Sequence, residues 1–166
     1  MSDLARLLGS FRSSAFRLET LQAYNVPQEV EMIAAFRRGE TVKLPDDHPW
    51  LRRVRESTIT GRQMQRVRIV NYPLSEYVRF EMSLYPYSVA SGEDIRIAEA
   101  CPELAMCNRD FWVFDDSIAV VLQYDNDGRF LGAETTEDVV TYRQQRDLAL
   151  SRSMELSAYT ARAARG

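Results

Sequence analysis

Hydrophobic and polar positions along the chain change period near residue 63, and that change divides the sequence. Before it the pattern is helical. Pro27 and Gly39 bracket a helix whose apolar stripe is Val30, Ile33, Ala34 and Phe36, with Gly39 placed where a helix end takes a left-handed residue. A second helix starts near Asp47 and Pro49, an acidic cap before a first-turn proline, and runs to Thr60 before Gly61 stops it. The stretch from Ala15 to Val26, with Phe16 and Tyr24, reads equally as helix or extended chain.

From Met64 to Val70 the pattern alternates, Met64, Arg66, Arg68 and Val70 against Gln65, Val67 and Ile69, which predicts a strand. Pro73 then opens a helix with Leu74, Tyr77, Val78, Met82 and Tyr85 along one side, ended by Pro86 and Gly92. Four short runs follow, Asp94 to Ala98, Phe111 to Phe114, Ile118 to Tyr124 and Arg129 to Ala133, separated by turn signals such as Asp115-Asp116 and Asp127-Gly128. They read as strands, the last two as a hairpin. From Glu137 the chain is helical to near its end, with Thr135 and Asp138 spaced as a capping box and Ser151 and Ser153 as points of bending.

This order predicts an α/β (α+β) domain. Its sheet is mixed but mostly antiparallel, of about five strands, with helices packed on it. No repeat or linker-like run divides the chain, so residues 1–166 form one domain: a helical N-terminal part (1–62), a sheet core (63–136) and a C-terminal helix (137–166).

Composition narrows the functional classes. No stretch approaches the roughly 20 apolar residues needed to cross a bilayer, and the first ten residues lack the basic start and apolar core of a secretory signal. No membrane association and a cytoplasmic location are expected. The two cysteines, Cys101 and Cys107, have no neighbouring cysteine or histidine to complete a zinc site. They either remain thiols or close a small loop, and a reducing compartment favours the thiols. Residues 1–70 carry 12 basic and 8 acidic groups, and residues 71–166 carry 9 and 16, so the N-terminal part suits an acidic partner. The helix with Arg52, Arg53 and Arg55 is nonetheless the pattern of a solvated face, and nucleic-acid binding is not expected.

Chemistry is thinly signalled. The one histidine, His48, stands at a helix start with no second histidine to share a metal, and no Gly-x-Ser-x-Gly elbow, P-loop or dinucleotide fingerprint is present. No cofactor and no metal are expected, and catalysis is left open with a leaning against it. Asp125, Asp127, Gly128 and Glu134 match the third, fifth, sixth and twelfth positions of a calcium loop, but Gln123 stands first and a strand precedes it, so an Asp-Gly hairpin accounts for them more simply. Asp110, Asp115, Asp116, Asp125 and Asp127 gather near strand ends, where aspartate forms turns and where paired carboxylates also trade protons. The mixture of Arg79, Glu81, Glu93, Asp94, Arg96 and Trp112, with Asp115 and Asp116, is the candidate ligand-binding set. Forked cations, acids and a large aromatic line small-molecule pockets, and they equally form surface ion-pair networks.

Five segments carry a resemblance: Phe16-Arg17-Leu18-Glu19-Thr20, Pro73 to Glu81, Gly92-Glu93-Asp94-Ile95-Arg96, Asp110-Phe111-Trp112-Val113-Phe114-Asp115-Asp116 and Tyr124 to Glu134. Together they resemble an uncharacterised actinobacterial family of small proteins, a domain of unknown function often encoded beside helix-turn-helix regulators. Twenty arginines against the single Lys43 fit GC-rich coding of that kind. The resemblance implies a regulatory setting and no assigned catalytic residues. The segment Asn108 to Asp116 before the hairpin is also similar to half of a phospholipase-D-like domain, where a His-x-Lys pair would stand. Asn108 and Asp110 occupy those places here. That resemblance implies loss of phosphodiester chemistry and a role like that of relatives serving as ligand sensors. The expected function is therefore a non-catalytic accessory protein that binds a small molecule or a helix-turn-helix regulator, the alternative being a cofactor-independent enzyme of specialised metabolism using carboxylates and arginines.

Overall fold

The computed structural model describes residues 2–166. One seven-stranded sheet runs through the centre. Its strands in chain order are β1 (Ser14–Glu19), β2 (Gln63–Val70), β3 (Asp94–Glu99), β4 (Phe111–Phe114), β5 (Ile118–Tyr124), β6 (Phe130–Thr136) and β7 (Ser153–Glu155). Across the sheet they lie in the order β6-β5-β4-β1-β2-β3-β7. β2 is parallel to both β1 and β3, while the other four pairings, β1 with β4, β3 with β7, β4 with β5 and β5 with β6, are antiparallel. The sheet is thus mixed and mostly antiparallel, with two strands beyond the expected five. β1 settles the ambiguous stretch after Ala15 as extended, and β7 is only three residues long.

Six helices cover the sheet: α1 (Asp3–Ser10), α2 (Val30–Arg37), α3 (Pro49–Ile59), α4 (Glu76–Ser91), α5 (Val140–Ser151) and α6 (Leu156–Arg165). Alternation along the strands sorts the core into two faces. Phe16, Leu18, Val67, Ile69, Phe111 and Val113 point to the α5 side and pack on Tyr142, Leu148 and Ala149. On the opposite side Ala15, Met64, Phe114 and Val120 meet Leu7 of α1 and Val54 of α3, and Ile95 and Ile97 meet Val78 and Tyr85 of α4 and Leu156 and Tyr159 of α6. The site described below lies on this second side, beneath α3 and α4.

Several ends differ from expectation for local reasons. The cap of α3 is His48 rather than Asp47, because its Nδ1 accepts the Trp50 backbone N–H at 3.2 Å. Pro86 does not end α4; it lies on the exposed side of that helix, which continues to Ser91 and stops at Gly92 with φ +117°. A β-carbon at Gly92 would fall 2.1 Å from Thr58 Oγ1, so α3 and α4 close together only over a glycine. The capping box at Thr135 and Asp138 does not form. Thr135 is instead paired with Val120 in the β5–β6 hairpin, and the Asp138 N–H donates to Thr136 Oγ1 at 3.1 Å. The C-terminal region is two helices separated by β7, not one bent helix.

Candidate functional site

The site begins with four residues that break the apolar pattern of the two central strands. On the α4 side, Arg17 of β1 stands in register with Arg66 of β2 and with Trp112 of β4, and Glu19 of β1 with Arg68 of β2. Met64 and Val70, both buried, flank the two arginines on the same face of β2. Charged side chains therefore occupy positions that ordinary packing would fill with valine or leucine.

Each charge is held by partners from other elements. Glu19 accepts Arg66 Nη1 at 2.9 Å, and Arg66 Nε donates to Glu93, just before β3, at 2.8 Å. Glu93 also accepts the indole N–H of Trp50 from α3 at 3.2 Å. Arg17 donates to Asp110 and to the Tyr124 hydroxyl, each at 3.2 Å. Asp110 further accepts the Thr20 N–H at 2.8 Å, the Thr20 hydroxyl at 2.6 Å and the hydroxyl of Tyr24. Arg68, fully buried, reaches Glu81 of α4 at 3.5 Å, and Tyr85 donates to the other Glu81 oxygen.

Above this floor is a cavity of about 500 Å³. Its wall is aromatic. Trp50 and Trp112 meet edge to face with centroids 6.1 Å apart, Tyr24 lies 5.2 Å from Tyr124 and 5.8 Å from Tyr77, and Phe130 closes on Tyr124 at 5.7 Å. The guanidinium of Arg66 sits between rings, 5.6 Å from Trp50 and 5.5 Å from Tyr85, and that of Arg17 lies 5.6 Å from Trp112. Both tryptophans of the chain line the cavity. Two buried donors of wall residues, Arg17 Nε and Trp112 Nε1, have no acceptor among the described residues, and neither does Arg68 Nε beneath them. The β5–β6 turn is fastened to this wall: Asn25 N–H donates to the Gly128 carbonyl at 2.9 Å, and Gly128 has φ +79° with a β-carbon position only 2.7 Å from the Ala23 carbonyl.

The two carboxyls nearest the cavity floor are driven apart. Burial pushes Glu19 up, but the surrounding charges of Arg66, Arg17 and Arg68 outweigh it and hold the carboxyl at about 2. For Glu81, burial and then the negative charge of Glu19 prevail over Arg68 and the Tyr85 hydrogen bond, and the carboxyl is pushed up to about 7. Burial likewise raises Glu29, whose carboxylate at the cavity rim accepts the Tyr77 hydroxyl at 2.6 Å.

Of the eight residues singled out in the sequence, Glu81 and Trp112 line the cavity and Glu93 stands behind it holding Arg66 and Trp50. The other five lie elsewhere. Arg96 pairs in register with Val67 and Asp94 with Gln65, so alternation turns both to the α5 side of the sheet, where Arg96 donates to Ser153 at 2.8 Å and Asp94 accepts from Gln65 at 2.6 Å. Arg79 is exposed and donates to the Leu74 carbonyl at 2.8 Å. Asp115 and Asp116 form the β4–β5 turn with φ +53° and +54°. The Asp115 carboxylate accepts the backbone N–H groups of Arg12, Ser13 and Ser14 at 2.9, 2.7 and 3.0 Å, and Asp116 pairs with Arg146. Asp125 bonds its own turn, accepting from the Asp127 and Arg129 N–H groups at 2.9 Å each. Among the described residues no group of three or more His, Cys, Asp or Glu side chains converges to hold a metal, and no helix is long and apolar enough to cross a membrane.

Arg17, Glu19, Arg66 and Arg68 were absent from the sequence-derived set. Their signal was present in the alternation itself: Met64-x-Arg66-x-Arg68-x-Val70 is a strand face that begins and ends apolar with two arginines between. Residues 2–161 match the profile of a family described as "Domain of unknown function (DUF6879)". No curated protein matches the chain.

Proposed function

Because the chain belongs to the DUF6879 family, whose description assigns no activity, we propose from the cavity alone that it binds a small organic molecule without transforming it. The observation that carries this reading is the charged floor in the middle of the sheet. A buried ion pair generally contributes no more stability than well-packed apolar residues would, by about 1–4 kcal/mol in favour of the latter. A fold that keeps three arginines and four acids beneath an aromatic cavity therefore departs from stable packing where a ligand would use it. The cavity volume is within the range of small-molecule sites. The setting we infer is cytoplasmic and regulatory, alongside a helix-turn-helix protein, supported by the resemblance to actinobacterial proteins encoded beside such regulators and to ligand sensors that lost a phosphodiesterase pair.

The test is saturation-transfer NMR with indole as an uncharged aromatic probe, on the parent and on Leu84→Trp, which fills the cavity from α4. Binding lost in Leu84→Trp, with indole recovered unchanged, supports the reading; no binding, or binding indifferent to that substitution, overturns it. A second reading, a cofactor-independent enzyme of specialised metabolism, is favoured by the Glu19 and Glu81 pair, since two carboxyls pushed apart in this way are the arrangement of an acid and a base. It requires turnover that disappears in Glu81→Gln. Asp115 and Asp116, bound into a turn, are not the groups to test for it.

A further inference from the structure

We propose that the ligand of this cavity is a small organic cation, an amine carried on an aromatic or apolar body. The inference rests on the binding reading above and adds the ligand's charge. Around the cavity floor the cations are Arg17, Arg66 and Arg68, and the acids are Glu19, Glu81, Glu93 and Asp110. With every acid ionised, one negative charge is in excess, and Glu29, which also lines the cavity, adds another.

The positive charges are already committed. Arg66 is shared between Glu19 and Glu93, and Arg17 is bound to Asp110; Arg68, held loosely by Glu81 at 3.5 Å and with its Nε unpaired, is fully buried and does not line the cavity. The unpaired Nε of Arg17 is buried and supplies no uncommitted charge to an anion. The acids of the wall are less well matched. Glu81 has its arginine at 3.5 Å, longer than the 2.9 Å of the Arg66–Glu19 pair, and Glu29 accepts only a tyrosine hydroxyl. Both line the cavity, so an ammonium group bound there would find a carboxylate acceptor, with its charge against the aromatic wall, whose ring faces attract cations. An anion would instead meet Glu19, Glu81 and Glu29 together.

Protonation should follow. Glu81 is faced by Glu19 from β1, by Arg66 and Arg68 from β2, and by Tyr77 and Tyr85 on its own helix, with the negative charge of Glu19 among the forces that raise it. A bound cation favours its ionised form, so binding expels a proton and strengthens as pH rises through about 7.

Three near-isosteric probes test this by titration calorimetry and tryptophan fluorescence: phenethylamine, 2-phenylethanol and phenylacetate. The expected result is that phenethylamine binds about tenfold or more tighter than the alcohol, that phenylacetate does not compete, and that the preference grows from pH 6 to pH 8. Glu81→Gln should abolish the preference for the amine and retain the alcohol. Glu29→Gln, at the rim where folding is less at stake, should reduce it. Equal binding of all three probes overturns the cation assignment while leaving the cavity a binding site. Tighter binding of phenylacetate, an amine preference that survives both substitutions, or no binding by any probe overturns it as well, and the indole experiment then decides separately whether the cavity binds at all.

Discussion

Replacing Glu81 by glutamine removes a buried acid whose ionisation opposes folding, and the effect has a definite dependence on pH. The folded carboxyl is pushed up to about 7 from an ordinary 4.5. A raised acid pKa means that the folded state holds the proton more tightly than the unfolded chain, so its stabilising contribution is complete below about 4.5 and is lost as pH rises through about 7. Two and a half pKa units at 1.36 kcal/mol each make the swing about 3 kcal/mol, and Glu81, only 7% exposed, is little screened by solvent. Glu19 works in the opposite direction: its lowered carboxyl contributes stability above 4.5 that disappears as pH falls toward about 2. The two windows do not overlap, so Glu81 can be isolated. Urea unfolding of the parent and of Glu81→Gln at pH 5 and pH 8, a window that holds most of that swing, should show their difference moving by about 2–3 kcal/mol in favour of the variant at the higher pH. A difference that stays constant between the two pH values would refute the reasoning.

Two further outcomes are expected. Gly128→Ala should cost about 1–3 kcal/mol, through its positive φ and the approach to the Ala23 carbonyl, whereas Gly132→Ala, with no atom within 4 Å of the added carbon, should change urea stability by no more than about 0.5 kcal/mol. Arg79→Lys and Arg96→Lys should leave probe binding at the parent level, because one is bound to the Leu74 carbonyl at the surface and the other lies on the α5 face; calorimetry that shows either weakening it would refute the placement of the site.

The sheet elements most legible in the sequence were those with strong alternation or clear punctuation: β2 to β6, and the Asp-Gly hairpin between the last two of them. β1 stayed ambiguous because Ala15, Arg17 and Glu19, the face it turns toward the cavity, carry no apolar run that would separate a strand from a helix. β7 could not be read, since three residues are too few to alternate and its pairing is set by β3, more than fifty residues earlier. For the site, composition suggested a set of arginines, acids and a tryptophan, but it could not say which of them share a face of the sheet. Choosing among them needed the register: Arg66 and Arg96 are similar in sequence context, yet Arg66 stands opposite Ile95 and Arg96 opposite Val67, which sends them to opposite faces.

The place of β1 in the sheet also bears on how the molecule comes to exist. The earliest strand of this sheet in chain order is the central one, and it must wait for both neighbours. β2 follows after some fifty residues and β4, which pairs Phe114 with Ala15, after roughly a hundred, a separation that slows folding because long loops must close before their contacts repay the entropy. Until β4 is synthesised, Arg17 lacks Asp110 and Trp112, and one edge of β1 is open to pairing with other chains. Fragments that end before residue 111 should consequently aggregate rather than fold, and the cavity is completed only by segments made late.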